Sequence, residues 1–449
     1  MDCHRCTDAT TRRSCRPSEI EILLYFFVNY TSLQGLDIPS RIRNYYQLVT
    51  SQAIKVLTSI PCCLYTSVSP SRGPAVLVTG GLGYVGSHVC LELLKRGYTI
   101  LIIDDLRNSF SNTVQNIGLA FETSGFGEYK TAIQNMNHIP IDYGDTQALN
   151  QALVGYGRYF LIVGAIHLAA SKSVAESLKN PRKYYENNVS KMERFLTALG
   201  SLGIRNVIFS SSATVYGCLP PETALKPLKE DLVPVFRSLR QLGGMLGGLT
   251  PYGISKILGE GLVARFVERD KQRNGVVFRL FNPVGCDPSG HLKDDPKDKK
   301  CRGGVMQMIM KSVRRDQVFE VYGTGLGGRG DKSCIRDFVH VADIARGIAM
   351  GLEACVYKGY RDRERLKVYN LASGGGISVK QLVRKVGLES RVAVRVRECS
   401  KREGDIAVSV GDNGKIECQL GWVPERSIEA VCKDFCHAYN LQKDRGDLN

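Results

Sequence analysis

Apolar and polar residues do not keep one period along this chain. From Pro74 onward two patterns alternate. Short apolar runs fall at 75–79, 98–103, 161–165, 206–210 and 276–280. Each is too short for a helix and reads as a buried strand. Between them, helices are expected from about Ser87 to Arg96, over about 180–200 and over about 252–269. Gly97 stops the first of these. Strand, glycine turn, helix and strand within about 30 residues form a βαβ unit. Its repetition predicts an α/β fold, a Rossmann-type doubly wound parallel sheet. Beyond Pro283 the segments are shorter and mixed, with strands expected at 319–322 and 392–396. That predicts a smaller C-terminal α+β substrate domain. The expected layout is a poorly ordered extension of unknown role at 1–74, a nucleotide-binding domain at 75–282 and a substrate domain at 283–449. Residues of about 333–355 are expected to return to the first domain.

Composition narrows the classes. The 449 residues are 43% hydrophobic and 23% charged. That supports a sizeable core and excludes wholesale disorder. No apolar run reaches the ~18 residues a membrane-spanning helix needs, so no membrane partner is expected. Lys and Arg number 60 against 44 Asp and Glu, a net charge of +16. Such an excess attracts phosphates and nucleic acid. The basic clusters at 293–300, 361–367 and 391–402, however, lack the interleaved aromatics of a single-strand platform, so nucleic acid is not expected as a partner. The 15 Cys are an odd count without paired spacing. Free thiols in a reducing, cytoplasmic compartment are expected. Cys3, His4, Cys6 and Cys15 have no second ligand pair at zinc-finger spacing, so no metal is expected. Arg12, Arg13 and Arg16 among Ser and Thr suggest a transit peptide, but acidic residues at 2, 8, 19 and 21 speak against it.

Candidate chemistry sits at two places. Thr79-Gly80-Gly81-Leu82-Gly83-Tyr84-Val85-Gly86 joins the first strand to the first helix. Gly80 permits the tight turn, Gly83 lets amides approach a pyrophosphate, and Gly86 lets the helix pack close to the sheet. The helix N-terminus adds amide donors and a positive dipole end. Asp104 and Asp105 end the next strand, 18 and 19 residues after Gly86. A carboxylate there can bind both ribose hydroxyls of NAD and repels the 2′-phosphate of NADP, although Arg107 nearby could weaken that choice. NAD is therefore the expected cofactor.

Tyr252 and Lys256 are four residues apart, on one helix face. A free Tyr, with a pKa of about 10, is a poor base. A neighbouring ammonium and a positive nicotinamide ring favour its phenolate. The pair alone is a common helix pattern; behind a dinucleotide turn it gains weight. The run from Ser210 to Gly217 puts hydroxyls at the C-terminal end of a strand, where open α/β sheets bind ligands. A serine run is otherwise most often a loop.

Together these segments resemble the extended short-chain dehydrogenase/reductase superfamily and, within it, the UDP-glucose 4-epimerase family. The resemblance spans about residues 75–440. It is carried by Val78 to Gly81 with Gly83 to His88, by Ile166-His167-Leu168-Ala169-Ala170 with Lys172-Ser173-Val174 and Glu176-Ser177, and by Tyr184-Tyr185-Glu186-Asn187-Asn188-Val189. Ser210 to Gly217, Tyr252 to Lys256, Phe281-Asn282-Pro283-Val284-Gly285 with Pro288-Ser289-Gly290, Arg336 to Val341 and Arg402-Glu403-Gly404-Asp405 complete it.

The resemblance implies roles. Tyr252 would be the catalytic base and acid, and Lys256 its modulator and nicotinamide-ribose ligand. Ser212, beside Ala213 and Thr214, would bind the sugar 4-hydroxyl. Gly80, Gly83, Tyr84, Val85, Gly86, Asp104, Asp105, Asn108, Asp142, Tyr143, Leu168, Ala169, Ala170, Lys172, Asn188 and Phe281 would line NAD. Asn282, Tyr322, Arg336, Arg402 and Asp405 would hold a UDP-sugar, with Tyr322 along the uracil and both arginines on the diphosphate. Guanidinium forks match phosphate oxygens. Ser409 would line the C2 side of the sugar, where a bulky Tyr restricts the family to glucose and galactose and a small residue admits an N-acetyl group.

The implied reaction interconverts UDP-glucose and UDP-galactose through a transient 4-keto sugar and bound NAD, with UDP-N-acetylglucosamine and UDP-N-acetylgalactosamine also accepted. The implied assembly is a homodimer through the helices at 180–200 and 252–269. Four departures stand out: Leu280 for Tyr, Cys286-Asp287 for Ala-His, Gly303-Gly304-Val305-Met306 for Asn-Asn-Leu-Met, and an insertion at 237–249 that reads as a surface loop. One rival is an NAD-dependent nucleotide-sugar dehydratase or decarboxylase, which would need an acid where Ala213 and Thr214 stand. Another is a non-catalytic NAD-binding regulatory protein. Arg336-Asp337 also reads as a structural ion pair, and Tyr322 as an ordinary strand aromatic.

Overall fold

The computed structural model describes residues 73–441 apart from 221–222, 224–225, 237–240, 242–247, 296–303, 324–330, 359–363 and 403–404. The extension at 1–72, with its transit-peptide and zinc readings, and most of the insertion at 237–249 lie outside the described residues.

The five apolar runs form strands of one parallel sheet, which also takes in a short strand, Met136–Ile139, that they did not predict. These are β1 (Pro74–Thr79), β2 (Thr99–Ile103), β3 (Met136–Ile139), β4 (Leu161–His167), β5 (Asn206–Ser212) and β6 (Asn274–Leu280). Along β1, successive side chains enter opposite cores. Val76 and Val78 pack on one face with Val89, Leu93 and Ile348, while Ala75 and Leu77 pack on the other with Phe195, Leu196 and Val263. Both faces are dry, which is why these strands read as continuous apolar runs rather than alternating ones. Each Leu, Ile or Val so buried stabilises the fold by about 1.5–3 kcal/mol. The helices α1 (Tyr84–Lys95), α2 (Lys191–Ser201) and α3 (Pro251–Glu268) follow β1, β4 and β5.

Further strands are β7 (Asn282–Val284), β8 (Phe319–Tyr322), β9 (Ile335–His340), β10 (Leu366–Leu371), β11 (Gly376–Ser378), β12 (Val396–Cys399) and β13 (Val408–Ser409). The large sheet runs β10-β6-β5-β4-β1-β2-β3. The chain leaves β1 in one direction through β2 and β3, then returns to the other side of β1 with β4. The switch point of the sheet therefore lies between β1 and β4, where doubly wound sheets open a ligand crevice.

Two further features depart from the sequence reading. First, residues 366–371 fall within the segment expected to be the smaller domain, yet β10 extends the large sheet beyond β6 with register Leu366↔Gly275 to Leu371↔Leu280. Second, the strand expected at 392–396 forms at 396–399, paired in parallel with β8. Val392 is held back because its N–H bonds the Gly387 carbonyl at 3.0 Å and closes the preceding helix.

The remaining elements build a third core around Ile309, Phe319, Phe338, Val386 and Phe435. There β9 pairs with β7 over 338–340, with β13 over 335–336 and antiparallel with β11. The helices α4 (Val305–Arg315), α5 (Val341–Glu353), α6 (Val379–Ser390) and α7 (Ile428–Ala438) complete the chain, and α5 packs against α1.

Candidate active site

At the switch point, bare backbone faces the crevice. Gly80 has φ +69° and its N–H bonds the Ile103 carbonyl at 2.8 Å. A Cβ on Gly86 would lie 2.0 Å from the Gly80 oxygen and 2.8 Å from Gly81 Cα. Glycine is therefore required where α1 meets the turn. Gly83 caps α1 without a side-chain bond, so the first-turn amides are free of a side-chain acceptor. This is a phosphate cradle of the kind helix N-termini provide.

Asp104 does more than end β2. Its Oδ2 accepts the Leu82 amide at 3.0 Å, and its Oδ1 accepts the Leu106 amide at 3.1 Å and the Ser109 hydroxyl at 2.6 Å. A carboxylate has about four acceptor sites, so capacity for a ribose hydroxyl remains at Oδ2. Arg107 is engaged by Asp105 at 2.9 Å and Asp142 at 3.3 Å. Although burial raises the Asp142 carboxyl, hydrogen bonds from Lys191 and the Gly144 amide hold it below its ordinary range. Asn108 is exposed, and Tyr143 is buried beside His167.

The loop after β4 closes over β1. The Leu168 amide bonds the Thr79 carbonyl at 3.2 Å, and the Ala169 amide bonds Thr79 Oγ1 at 3.4 Å. Ala170 follows, and the Ser171 amide and carbonyl are both bound by the Asn188 side chain, which also donates to Ser255 Oγ at 3.0 Å. Asn188 thus ties this loop to α3. Lys172 reaches Asp294 at 3.8 Å and stands 5.9 Å from the Tyr84 ring. Tyr84 donates to the Gly285 carbonyl at 2.7 Å.

Tyr252, Lys256 and Ser212 meet where β5 ends beside α3. Pro251 occupies the first turn of α3, and Thr250 Oγ1 caps the Gly253 amide at 3.2 Å. The Ser212 hydroxyl is close enough to Tyr252 to work against the rise of its pKa. Lys256 Nζ donates to the Ser210 carbonyl at 2.7 Å and lies 5.8 Å from the Tyr252 ring centroid. Thr214 Oγ1, in the turn that follows β5, is buried without a hydrogen-bond partner.

The protonation states differ from the simple expectation. Burial pushes Tyr252 up to about 12, although the Ser212 hydroxyl works to lower it. Burial lowers Lys256 to about 7, against the pull of Glu260. In the protein alone, desolvation outweighs the attraction between phenolate and ammonium. Lys256→Met gives a checkable sign. A lysine depressed from about 10.4 to about 7 destabilises the fold fully below pH 7. Between those values the unfolded chain binds more protons, so stability rises with pH. In cofactor-free protein, the difference in urea midpoint between Lys256→Met and wild type should move steadily in favour of wild type from pH 7 to pH 10. A constant difference would mean that Lys256 has the same pKa in the folded and unfolded chains and stays charged in the site.

The third group lies along β9. Arg336 pairs in register with Ser409 and donates to the Ile335 carbonyl at 2.9 Å. Asn282 Nδ2 donates to the Asp337 carbonyl at 2.9 Å. Arg402 stacks 4.6 Å over the Tyr322 ring and bonds Asp405 at 3.2 Å. Phe281 packs 6.2 Å from Tyr216 and closes against Gly411. Since Ser212 pairs with Leu280 in the sheet, Phe281 and Asn282 follow directly beside the catalytic strand end.

Asp337 was missed as a hub. It accepts from the Ser373 amide at 2.8 Å, Ser373 Oγ at 2.6 Å, the Gly374 amide at 3.1 Å and the Gly411 amide at 3.1 Å. Burial still raises its carboxyl pKa. Neighbours on a strand face opposite sides, so the Arg336-Asp337 ion pair does not form. That alternation was the available signal. At the missing asparagine, Gly304 caps α4 without a side-chain bond, and Val305 and Met306 line a cleft with Tyr84 and Pro283.

Known proteins are similar to this chain over most of its length. The profile of the NAD dependent epimerase/dehydratase family matches residues 76–372. The UDP-glucose 4-epimerase of Bacillus subtilis (strain 168) is 32% identical over 364 residues, 80% of this chain and 95% of that protein. The human UDP-glucose 4-epimerase is 29% identical over 362 residues, 80% of this chain and 94% of its own. Among solved structures, a Bifidobacterium longum UDP-glucose 4-epimerase in complex with NAD+ and UDP superposes with a TM-score of 0.69 at 28% identity, covering 82% of this chain and 98% of that one.

Proposed function

This chain belongs to the NAD dependent epimerase/dehydratase family, and from that premise we propose that it is an NAD-dependent UDP-glucose 4-epimerase. The observation that carries the reading is the meeting of Ser212, Tyr252 and Lys256 beside the glycine cradle. The cradle fits a dinucleotide: a Cβ would fill it, its helix amides lack side-chain caps, and Asp104 retains an acceptor site for a ribose. Gly80, Gly83, Gly86, Asp104 and the 168–172 loop would hold NAD. When bound, oxidised NAD supplies a hydride acceptor for C4 of the sugar and a positive ring that favours the Tyr252 phenolate.

Tyr252 takes the proton of the sugar 4-hydroxyl, oriented by Ser212, as C4 becomes a ketone. Lys256, once charged, stabilises the phenolate. Arg336 and Arg402 keep the diphosphate anchored while the 4-keto sugar turns its other face to the same residues. Tyr252 then returns the proton to the new alcohol. Anchors far from C4 let binding energy position the reacting atoms in both orientations. The dehydratase and decarboxylase reading lacks its acid, since Ala213 and Thr214 occupy the turn after β5.

Purified protein with no added NAD should convert UDP-glucose to UDP-galactose, read from the C4 proton by NMR. A dehydrated or decarboxylated sugar, or no product even with NAD added, would overturn this reading. Sugar choice follows from Ser409, small, buried and in register with Arg336. UDP-N-acetylglucosamine should also be turned over. Ser409→Tyr should cut that rate at least ~10-fold and leave UDP-glucose turnover within about threefold. Equal loss on both sugars would remove Ser409 as the determinant.

We further infer a cytoplasmic location and a homodimer. The free thiols of buried Cys90, Cys286 and Cys355 suit a reducing compartment. Among the described residues no helix is long and apolar enough to cross a membrane.

A further inference from the structure

The three serines that close β5 each engage a different turn of α3. The Ser210 carbonyl accepts from Lys256, the Ser212 hydroxyl acts on Tyr252, and Ser211 Oγ donates to Glu260 Oε1 at 2.6 Å. Only the last contact uses no residue assigned a catalytic part above. Glu260 is 1% exposed, and Arg279, 0% exposed, grips it with Nε to Oε1 at 3.0 Å and Nη2 to Oε2 at 2.8 Å. The other Arg279 donors reach Tyr216 OH at 3.1 Å, the Glu230 carbonyl at 3.0 Å and the Val233 carbonyl at 2.7 Å. Tyr216 donates to Asn370 on β10 at 2.8 Å.

This network borders the site on several sides. Tyr216 shares a turn with Ala213 and Thr214. Arg279 stands two residues before Phe281 on the strand that leads into Asn282. The strand end itself is weakly supported by the sheet. The backbone pairing of β5 with β4 stops at Phe209, so Ser210 to Ser212 pair only with β6, and β4 is reached beyond that point by Ser210 Oγ, which donates to the His167 carbonyl at 3.2 Å. A buried ion pair adds little net stability over apolar packing of the same volume, but a bidentate fork fixes geometry.

We propose that Ser211 is a positioning residue of the reaction: anchored to the Glu260–Arg279 pair, it holds Ser212 against Tyr252 and the Ser210 carbonyl against Lys256. The proposal rests on the epimerase reading and deepens it. The charged and titratable groups around the Tyr252–Lys256 pair are Tyr184, itself bonded to Glu176, then His167 from β4, Glu260 on α3 and Arg279 behind it. Removing the Ser211 hydroxyl leaves all of them in place.

The test compares Ser211→Ala and Ser211→Thr holoenzymes with wild type, using Tyr252→Phe as the spectral blank. Two quantities are read: kcat and KM for UDP-glucose, and Tyr252 ionisation by ultraviolet difference absorbance without substrate. Ser211→Ala should lower kcat ~10-fold with KM within about twofold, the signature of misplacement rather than lost binding. Its Tyr252 should ionise at higher pH, because the Ser212 hydroxyl that favours phenolate is no longer held against it. Ser211→Thr keeps a hydroxyl for Glu260 and should restore both. Wild-type behaviour in Ser211→Ala, or equal impairment in both variants, overturns the proposal. If wild type itself does not epimerise, the epimerase reading fails, while the Tyr252 titration still decides whether Ser211 positions the pair.

Discussion

Tyr252→Phe should lower kcat about 1,000-fold, in the range a positioned proton-transfer group contributes, and leave KM for UDP-glucose within a few-fold. The substitution removes one oxygen and little else. The ring keeps its edge contact with Tyr184 at 6.3 Å between centroids and its place 5.8 Å from Lys256. What disappears is the hydroxyl that lies near Ser212 and that is proposed to take and return the 4-hydroxyl proton. Because the proposed diphosphate anchors, Arg336 on β9 and Arg402 beside Tyr322, are untouched, substrate affinity should persist. Initial rates by NMR at saturating UDP-glucose would measure this, with circular dichroism as a check on folding. A variant retaining a tenth or more of the wild-type rate would remove Tyr252 from the base's role and direct attention to Ser212.

The second large effect is structural. Gly86→Ala should abolish retention of NAD and lower stability by about 1–3 kcal/mol, the usual cost of overpacking. The new Cβ would sit 2.0 Å from the Gly80 oxygen, a contact with backbone that no rotamer change relieves. Gly80 cannot retreat easily, since its own Cβ position is 2.9 Å from Ala169 Cα and its φ is +69°. The turn must open, and the amides that cradle the pyrophosphate move with it. Gly155→Ala is the control: it lies in the helix Thr146–Tyr156 with nothing within 4 Å, so it should be neutral or stabilising by up to about 1 kcal/mol. NAD released on denaturation and the thermal midpoint would be compared for the three proteins. Full NAD occupancy in Gly86→Ala would show that the cradle tolerates displacement and that its glycines are not what admits the cofactor.

Ser211 shows where reading along the chain stops. The serine run was visible, and its last member was legible by resemblance as a substrate contact. That the middle serine bonds Glu260 depends on α3 lying beside β5, a packing relation with no local signature. The same holds for Asp337. Its neighbours Ser373, Gly374 and Gly411 are 36 to 74 positions away, on the segments that follow β10 and β13.

The protonation states make the point in energy. Four-residue spacing correctly put Tyr252 and Lys256 on one face of a helix. Spacing says nothing about depth, and burial moves the two groups toward their neutral forms in the protein alone. Composition, likewise, separated a folded chain from a disordered one but could not place the basic residues, several of which are engaged by local carboxylates such as Asp105 with Arg107.

By itself, then, the sequence determined what depends on near neighbours: the strands β1, β2, β4, β5 and β6, the glycine turn, the carboxylates closing β2, the Tyr-Lys face and the strand-end serines, but not the short β3. Each follows from the conformational reach of a few consecutive residues. Only the tertiary structure decided the addition of β10 to the edge of the large sheet, the bounds of β12, the separation of Arg336 from Asp337, and the Ser211–Glu260–Arg279 anchor. Those depend on which surfaces meet and on how much water is excluded when they do, and both are set by distant segments.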